Sequence, residues 1–282
     1  MTMRTIHTEE IVEAVKNLCI TANYELGEPE VEAIDKALQV EESPIGRDIL
    51  AQIAENARIA RKEQVPLCQD TGFAILFVDL GQEVRIDGGL LKEAITEGVR
   101  QGYANGYLRK SILGDPLERA NTGDNTPPIV HLNLVEGDGL KITFDAKGGG
   151  SENMSRLKML KPADGEEGVK DFIVETVKLA GANPCPPIIV GVGIGGNFEM
   201  VAKLAKTSLL RPLGSKNPNP KYAAMEEELL ERINDLGIGP QGFGGRTTAL
   251  AVHITTHPCH LASLPAAVNI ECHSHRHKSV VL

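Results

Sequence analysis

The sequence predicts a mixed α/β fold, in which a helical N-terminal part packs on an α/β body with a mixed sheet. Two observations support this prediction. Residues 1–62 carry apolar side chains at helical spacing, and the rest of the chain alternates short apolar, β-branched runs with further helical segments. At 282 residues the chain is long enough for a substantial core, and we expect one domain over residues 1–282 with 1–62 as a helical subregion.

Three helices are predicted within residues 1–62. The first is IVEAVKNLC, which Thr8 can cap through its side-chain oxygen, while Glu9 and Glu10 favour the positive end of the helix dipole. The segments PEVEAIDKALQV and GRDILAQIAENARIARK repeat the same apolar spacing. The helical pattern ends near Pro66, because proline lacks the N–H that would continue a helix.

Strands and helices alternate beyond Pro66. The predicted strands are AILFVDLG, IVHLNLVEG, LKITFDAKG, PPIIVGVG, TTALAVHI and LPAAVNIEC, and the predicted helices are GGLLKEAITEGVRQGYANG, GVKDFIVETVKLAG, NFEMVAKLAK and AAMEEELLERINDLG. Only a short turn around Gly137–Gly139 separates IVHLNLVEG from LKITFDAKG, so these two strands are expected to form a β-hairpin.

Charge and hydropathy exclude several classes of function. The net charge of -9 argues against a general nucleic-acid-binding protein, since phosphate neutralisation needs a surplus of Lys and Arg. No apolar run approaches the roughly 18 residues that span a membrane, and the N-terminus becomes acidic before any apolar stretch, unlike a signal peptide. We therefore expect a cytoplasmic protein without nucleic-acid or membrane partners, although a small anionic substrate fits a few well-placed arginines.

The five cysteines are odd in number and widely spaced, which argues against a disulfide framework. Three of them lie at strand edges or in proline-rich turns: Cys68 in PLCQDTG, Cys185 in GANPCPP and Cys272 in NIECHSHRH. Three thiolates from distant loops indicate either an iron–sulfur cluster with one iron lacking a protein ligand or a three-thiolate zinc site. Spacing alone does not decide between the two. Cys19 fits a buried position on the first helix, and Cys259 lies among histidines.

The segment GVGIGG matches G-x-G-x-x-G through Gly191, Gly193 and Gly196, after a predicted strand and before a predicted helix. A dinucleotide site also needs an acidic residue about 20 positions later, where this chain has LGSKNPNP. The pattern therefore favours close helix–strand packing, or backbone amides that face an anion, over a dinucleotide-dependent oxidoreductase.

Histidines concentrate near the C-terminus. The alternating HSHRH segment is interpreted as a solvated or interface stretch, which assigns no site role to His273, His275 or His277. His260 differs because it opens the apolar run LASLPAAVNI, and we expect it to face a pocket.

Together, PLCQDTG, GANPCPP and HLASLPAAVNIECHSHRH resemble the class I, iron–sulfur-dependent fumarases and the related L-tartrate dehydratases. The resemblance covers nearly the whole chain and is to the α subunit of the two-polypeptide form. It implies a [4Fe-4S] cluster ligated by Cys68, Cys185 and Cys272, with one iron lacking a protein ligand. Cys19 and Cys259 match no ligand position.

The resemblance also implies substrate-binding residues. Gln69 and Asp70 match a substrate-contacting pair, Arg109 in GYLRKS matches an arginine that clamps a carboxylate, and the backbone at Gly149 matches a further contact. His260 matches the histidine at the far carboxylate. Asp70 is the expected catalytic residue, because the family's base is thought to be a threonine that pairs with this aspartate from the other subunit.

The activity implied first is reversible hydration of fumarate to (S)-malate by an α subunit that needs its β subunit for a complete site, in an expected α2β2 assembly. Dehydration of L-tartrate is the alternative, and a non-catalytic iron–sulfur or metal-binding module is a third hypothesis. Both substrates are small four-carbon dicarboxylates, and the sequence does not choose between them.

Overall fold

The structure, a computed structural model, describes residues 3–282. Its helices and mixed sheets confirm the predicted α/β class. The chain divides into two compact units. The first comprises the described residues up to Gly27 together with Ala57–Gly149 and Arg276–Leu282, and the second comprises Glu28–Asn56 and Gly150–His275. The single domain expected over residues 1–282 stays a prediction.

The first unit contains two helices and two sheets. The helices are α1 (Thr8–Tyr24) and α4 (Leu91–Asn105), and the strands are β1 (Arg4–His7), β2 (Phe73–Gly81), β3 (Val84–Asp87), β4 (Ile129–Val135), β5 (Leu140–Lys147) and β10 (His277–Val281). Strands β1 and β3 pair in parallel, and the larger sheet has the order β10-β5-β2-β4. The sequence analysis did not predict β1, β3 or β10, which are only four or five residues long.

Helix α1 begins one residue earlier than predicted. Thr8 is its first residue and His7 is the N-cap, whose backbone N–H donates a hydrogen bond of 3.0 Å to Glu10 Oε1. The predicted Thr8 cap is therefore wrong. The N-cap is His7, the residue before Thr8, and its backbone N–H is bonded by the Glu10 side chain. Helix α1 packs against α4 so closely that a Cβ at Gly102 would lie 2.6 Å from Cβ of Cys19.

The predicted hairpin between β4 and β5 is wrong, because β2 lies between them. Strand β4 is parallel to β2 and β5 is antiparallel to it. The turn after β4 instead crosses the end of β2, where the Gly81 N–H donates to Gly139 O at 2.9 Å. A Cβ at Gly81 would lie 2.3 Å from Gly137 O, so only glycine permits this crossing.

The second unit is built around a sheet of order β6-β9-β7-β8. Its strands are β6 (Arg156–Leu160), β7 (Ile188–Gly195), β8 (Ala249–His257) and β9 (Leu264–Glu271), and its helices are α2 (Glu28–Val40), α5 (Gly149–Glu152), α6 (Gly165–Ala180), α7 (Phe198–Ser208) and α8 (Pro220–Asn234). Helix α3 (Pro44–Glu63) has residues in the ranges of both units. Helix α5 belongs to the second unit except for its first residue, Gly149, which falls in the range of the first.

The GVGIGG segment forms the end of β7 and its turn into α7. A Cβ at Gly191 would lie 2.3 Å from Ala205 O, and one at Gly193 would lie 2.2 Å from Val201 O, both in α7. These contacts confirm the prediction of close helix–strand packing. Across residues 3–282, no helix has the length and apolar character needed to cross a membrane.

Candidate functional site

The carboxylate of Asp70 is held by two backbone N–H groups. Oδ1 accepts a hydrogen bond of 3.0 Å from Gly72, two residues further along the same turn. Oδ2 accepts one of 2.8 Å from Gly149, at the start of α5. Both carboxylate oxygens are thus oriented by backbone groups, and the structure brings together Asp70 and Gly149, two of the predicted site residues.

Buried side chains support the turn that carries Asp70. The Tyr103 hydroxyl donates to Thr71 O at 2.7 Å, and Asn125 Nδ2 donates to Gly72 O at 3.3 Å. The Arg276 guanidinium donates to Asp70 O. Tyr103, Asn125 and Arg276 are almost completely inaccessible to solvent. The sequence analysis did not identify these three as positioning residues, because each is far from Asp70 along the chain. The only signal in the sequence is a polar side chain within an apolar or loop segment.

Arg109 is tied to the same turn through its backbone. The Thr71 hydroxyl donates a hydrogen bond of 3.1 Å to Arg109 O, while the Arg109 side chain itself is exposed. Gln69 is also exposed, and Cys68 is half-buried with its Sγ 3.4 Å from the Asp70 N–H. The first unit therefore holds five predicted site residues on or beside one turn: Cys68, Gln69, Asp70, Arg109 and Gly149.

The second unit holds the other predicted site residues, Cys185, His260 and Cys272. His273, directly after Cys272, lies with Nδ1 2.9 Å from Cys185 O. Since a carbonyl oxygen can only accept, this contact is a hydrogen bond in the tautomer that carries its proton on Nδ1. This hydrogen bond brings the GANPCPP loop and the end of β9 together within the unit.

Gln241 fixes the GANPCPP loop from a second direction. Its backbone N–H and its side-chain Nε2 both donate to Pro186 O, at 2.7 and 2.8 Å. The Cys272 N–H donates to Glu271 Oε1 at 3.3 Å. Neither Gln241 nor Glu271 stood out in the sequence, where no motif connects them to the cysteines.

The cysteines differ in their access to solvent. All five are free thiols; Cys185 is exposed, and Cys68 and Cys272 are half-buried. Cys19 is completely buried, as the sequence predicted, and burial raises the pKa of its thiol well above its usual range. Thiolates are the ligands that zinc and iron–sulfur clusters use, so Cys68 of the first unit and Cys185 and Cys272 of the second stay candidate ligands.

His260 lies in the exposed turn between β8 and β9. Its Nδ1 accepts a hydrogen bond of 3.1 Å from the Ala262 N–H, so the neutral ring carries its proton on Nε2. The exposed Cys259 precedes it and places Sγ 3.4 Å from Ser263 O.

The centre of the HSHRH segment is buried and its two ends are half-buried, so the prediction of a solvated stretch is wrong for His275. His275 and Arg276 are 2% and 1% exposed. His275 Nδ1 lies 3.2 Å from Oε1 of the buried Glu30, and Arg276 also donates to Asn23 Oδ1 at 3.3 Å. The segment can be buried because distant polar groups satisfy its side chains, as buried charges require.

Three curated proteins similar to this chain carry the same type of name. A Methanocaldococcus jannaschii protein named "Putative L(+)-tartrate dehydratase subunit alpha" is 43% identical over 274 residues, covering 95% of each chain. An L(+)-tartrate dehydratase subunit alpha from Escherichia coli strain UTI89 is 34% identical, covering 95% of this chain and 89% of its own. The protein of the same name from strain K12 is 32% identical, covering 97% and 91%.

A family model described as fumarate hydratase (Fumerase) matches residues 12–281, which include every residue discussed in this section. The match extends over both units, and so does the similarity to the three relatives. The chain therefore belongs to the fumarate hydratase (Fumerase) family of hydro-lyases.

Proposed function

We propose that this chain is the α subunit of an L(+)-tartrate dehydratase, an iron–sulfur hydro-lyase that converts L(+)-tartrate to oxaloacetate and water. One observation carries the proposal: the three relatives described above each cover at least nine-tenths of this chain and are named as L(+)-tartrate dehydratase α subunits, the first of them as a putative one. The fumarate hydratase activity expected first from the sequence remains the rival, because the family as a whole carries that name.

Cys68, Cys185 and Cys272 are the proposed ligands of the cluster. Their free thiols and their exposed or half-buried positions support this assignment. When bound, a cluster with three protein ligands supplies a Lewis-acidic iron that polarises the C–O bond of the departing hydroxyl. His273 contributes by fixing the Cys185 loop, since its Nδ1 bonds Cys185 O.

Asp70 is the proposed catalytic residue of this chain. Dehydration removes a proton from the carbon beside a carboxylate, and that step needs a base in a fixed orientation. Each Asp70 oxygen accepts one backbone hydrogen bond and retains a second acceptor site. Asp70 can therefore orient a hydroxyl base from the partner subunit and take up its proton at Oδ1 or Oδ2.

Arg109 and Gln69 are the proposed carboxylate-binding groups of the first unit. Tartrate is a dianion at neutral pH, and an exposed guanidinium offers it two parallel N–H donors. Because Thr71 fixes the Arg109 backbone to the Asp70 turn, the arginine is anchored beside the proposed catalytic residue. His260 is the proposed contact for the far carboxylate, through the proton on its Nε2.

A β subunit is the proposed partner, in an α2β2 assembly. The relatives are named as alpha subunits, which supports a second polypeptide. We expect this chain alone to hold the cluster without turning over substrate.

The test is to produce the chain together with a β subunit from the same organism, load the complex anaerobically with iron and sulfide, and compare substrates. We expect kcat/KM for L(+)-tartrate, followed as oxaloacetate formation, to exceed kcat/KM for fumarate or (S)-malate at least tenfold. D-tartrate serves as the matched substrate control.

Two outcomes would remove the proposal. Faster hydration of fumarate than dehydration of L(+)-tartrate would identify the complex as a fumarase. Absence of both activities in a complex with full iron and sulfide content would favour the non-catalytic module.

A further inference from the structure

Strand β4 forms one outer edge of the four-stranded sheet in the first unit. It pairs only with β2 among the described strands, in a parallel register from Ile75 opposite Ile129 to Gly81 opposite Val135. Its sequence, IVHLNLV, contains no charged residue. Edge strands that do not pair with another chain are normally protected by charged residues, proline or a β-bulge, because their outward-facing backbone groups readily form hydrogen bonds with a further strand.

The apolar face of the sheet continues onto β4 and is left uncovered there. Leu132 and Leu134 lie on the same face as their partners Val78 and Leu80 in β2, and Val78 is completely buried in the core. Leu132 is 51% exposed and Leu134 is 67% exposed. The core of the first unit thus reaches solvent along this one edge.

Other sheet edges in residues 3–282 lack this combination. The edge strand β10 contains Lys278, and β6 contains Arg156 and Lys158. Most of the edge strand β8 is buried. Strand β4 is the described edge that is both uncharged and largely exposed, which indicates that a further strand covers it.

We propose that β4 pairs antiparallel with β4 of a second copy of this chain, about a two-fold axis at Leu132. The strand is its own complement in this register. Leu132 meets Leu132 of the other copy, Val130 meets Leu134, and Ile129 meets Val135. The remaining pair joins two polar side chains, His131 and Asn133. An isologous contact requires such self-complementarity, whereas an unrelated partner strand does not.

The two faces of the sheet also match in this register. Val130, Leu132 and Leu134 fall on the core face of both copies, so the exposed side chains of Leu132 and Leu134 would merge two cores into one. On the opposite face, His131 stacks on Phe77 at 5.0 Å, and Asn133 Nδ2 donates to Asp79 Oδ1 at 3.2 Å. The result is a closed pair with a continuous eight-stranded sheet, about 23 Å long at the contact for seven residues of roughly 3.3 Å each.

The first test measures mass by light scattering for the purified chain and for its complex with the β subunit. Leu132→Lys places two like charges directly opposite each other at the axis, which opposes pairing. The matched control is Leu117→Lys, at a 90% exposed leucine of the same unit outside β4. We expect two copies of this chain in the wild type and in Leu117→Lys, and one copy in Leu132→Lys with an unchanged circular dichroism spectrum.

The second test reads the register and does not depend on dissociation. In Leu132→Cys the new thiol faces itself across the axis, within the distance that a disulfide spans, so mild oxidation should link two chains. In Leu134→Cys the two thiols are separated by four residues, and the link should be absent. The wild-type chain measures any background from the native cysteines.

Several results would overturn the proposal: a single copy of the wild-type chain at 100 µM, an unchanged mass for Leu132→Lys, or equal cross-linking at both cysteine positions. If Leu132→Lys released the β subunit and left two copies paired, β4 would be an interface with that subunit instead. The proposal rests on the two α copies of the α2β2 assembly proposed above and names the strand that joins them. Because mass and cross-linking are measured without substrate, it can fail while the proposed activity stands.

Discussion

Oδ2 of Asp70 lies 2.8 Å from the backbone N of Gly149, a residue 79 positions further along the chain. This hydrogen bond joins the first cysteine motif, PLCQDTG, to the glycine triplet of KGGGSEN within one compact unit. It gives the carboxylate a fixed orientation, which a proton-transferring group needs if its partner comes from another subunit.

Asp70→Asn tests this role with little change of shape. The amide oxygen can still accept from Gly72, but its NH2 group then faces the Gly149 N–H, or the reverse. We expect turnover by the loaded complex to fall at least ~100-fold, the usual contribution of a positioned acid–base group. Iron content should be unchanged, and unfolding in urea should report a loss of about 1–2 kcal/mol.

The control for Asp70→Asn is Asp138→Asn, at an exposed loop aspartate of the same unit. It should leave turnover at the wild-type rate and change the free energy of unfolding by less than about 0.5 kcal/mol. Retention of more than a tenth of wild-type turnover by Asp70→Asn would contradict the catalytic assignment.

Gly72→Ala tests how tightly the Asp70 turn is packed. Gly72 has φ +80°, and a Cβ there would lie 2.6 Å from the backbone carbon of Ala146 in β5. Gly123→Ala is the matched control, because Gly123 has φ +83° and open space around it. The left-handed backbone costs both variants about 1–2 kcal/mol. Overpacking should add a further loss of about 1–3 kcal/mol at Gly72 alone, measured by urea unfolding. Equal losses of unfolding free energy in the two variants would argue against the close approach of Gly72 to Ala146.

Cys185→Ser tests the cluster assignment by composition. A cluster with three protein ligands loses one of them, so iron and sulfide per complex should fall to a small fraction of the wild-type content. Cys259→Ser, at another exposed cysteine of the same unit, should keep full loading. The unfolding midpoints of both variants without metal should agree, since neither thiol is buried. Full loading of Cys185→Ser would exclude this residue as a ligand.

Glu41→Gln tests a buried carboxylate that holds two loops of the second unit together. Glu41 is completely buried and accepts backbone hydrogen bonds of 2.8–3.0 Å from Glu42, Ser43, Arg246 and Thr247. Burial raises its pKa, but these N–H groups outweigh burial and leave the pKa lowered. An amide would turn an NH2 group toward donors, at a cost of about 2–4 kcal/mol.

The exposed neighbour Glu42 provides the control for Glu41→Gln. Its ion pair with Arg246 involves side chains that are 75% and 65% exposed, so Glu42→Gln should change the free energy of unfolding by less than about 0.5 kcal/mol. Similar losses for the two variants would show that the backbone hydrogen bonds of Glu41 contribute little.

The sequence predicted best those features that depend on neighbouring residues. Helical periodicity located the long helices, and the glycine pattern in GVGIGG indicated the close packing of β7 on α7. The pairing of β4 with β2 was missed, because it depends on the crossing at Gly81 and not on the short connection between β4 and β5.

The candidate site shows the same difference between features set by neighbouring residues and features set by distant ones. The residues in the cysteine motifs could be selected from the sequence, because several chemically suitable side chains lie side by side. Tyr103, Asn125 and Arg276 could not, since each supports the Asp70 turn from more than 30 residues away. The burial of His275 and Arg276 was missed for the same reason, because their partners Glu30 and Asn23 lie near the other end of the chain.

The lowered pKa of His253 predicts how the free energy of unfolding changes with pH. Burial in β8, with Arg211 nearby, lowers the pKa of this histidine from 6.5 to about 4. Between these values the unfolded chain binds a proton that the folded chain excludes, so the free energy of unfolding rises with pH across this window. The contribution is complete above pH 6.5 and is lost as the pH falls to about 4. At ~1.4 kcal/mol per pKa unit, the total approaches roughly 3 kcal/mol.

His253→Gln removes this titration and should flatten the pH dependence of the free energy of unfolding between pH 7 and pH 4.5. His257→Gln, at an exposed histidine at the end of the same strand, should keep the wild-type slope. Asp124 does not interfere, because hydrogen bonds from Thr126 and Arg100 outweigh its burial and lower its pKa to about 2, below this window. Equal slopes for His253→Gln and the wild type would show that His253 has the same pKa in the folded and the unfolded chain.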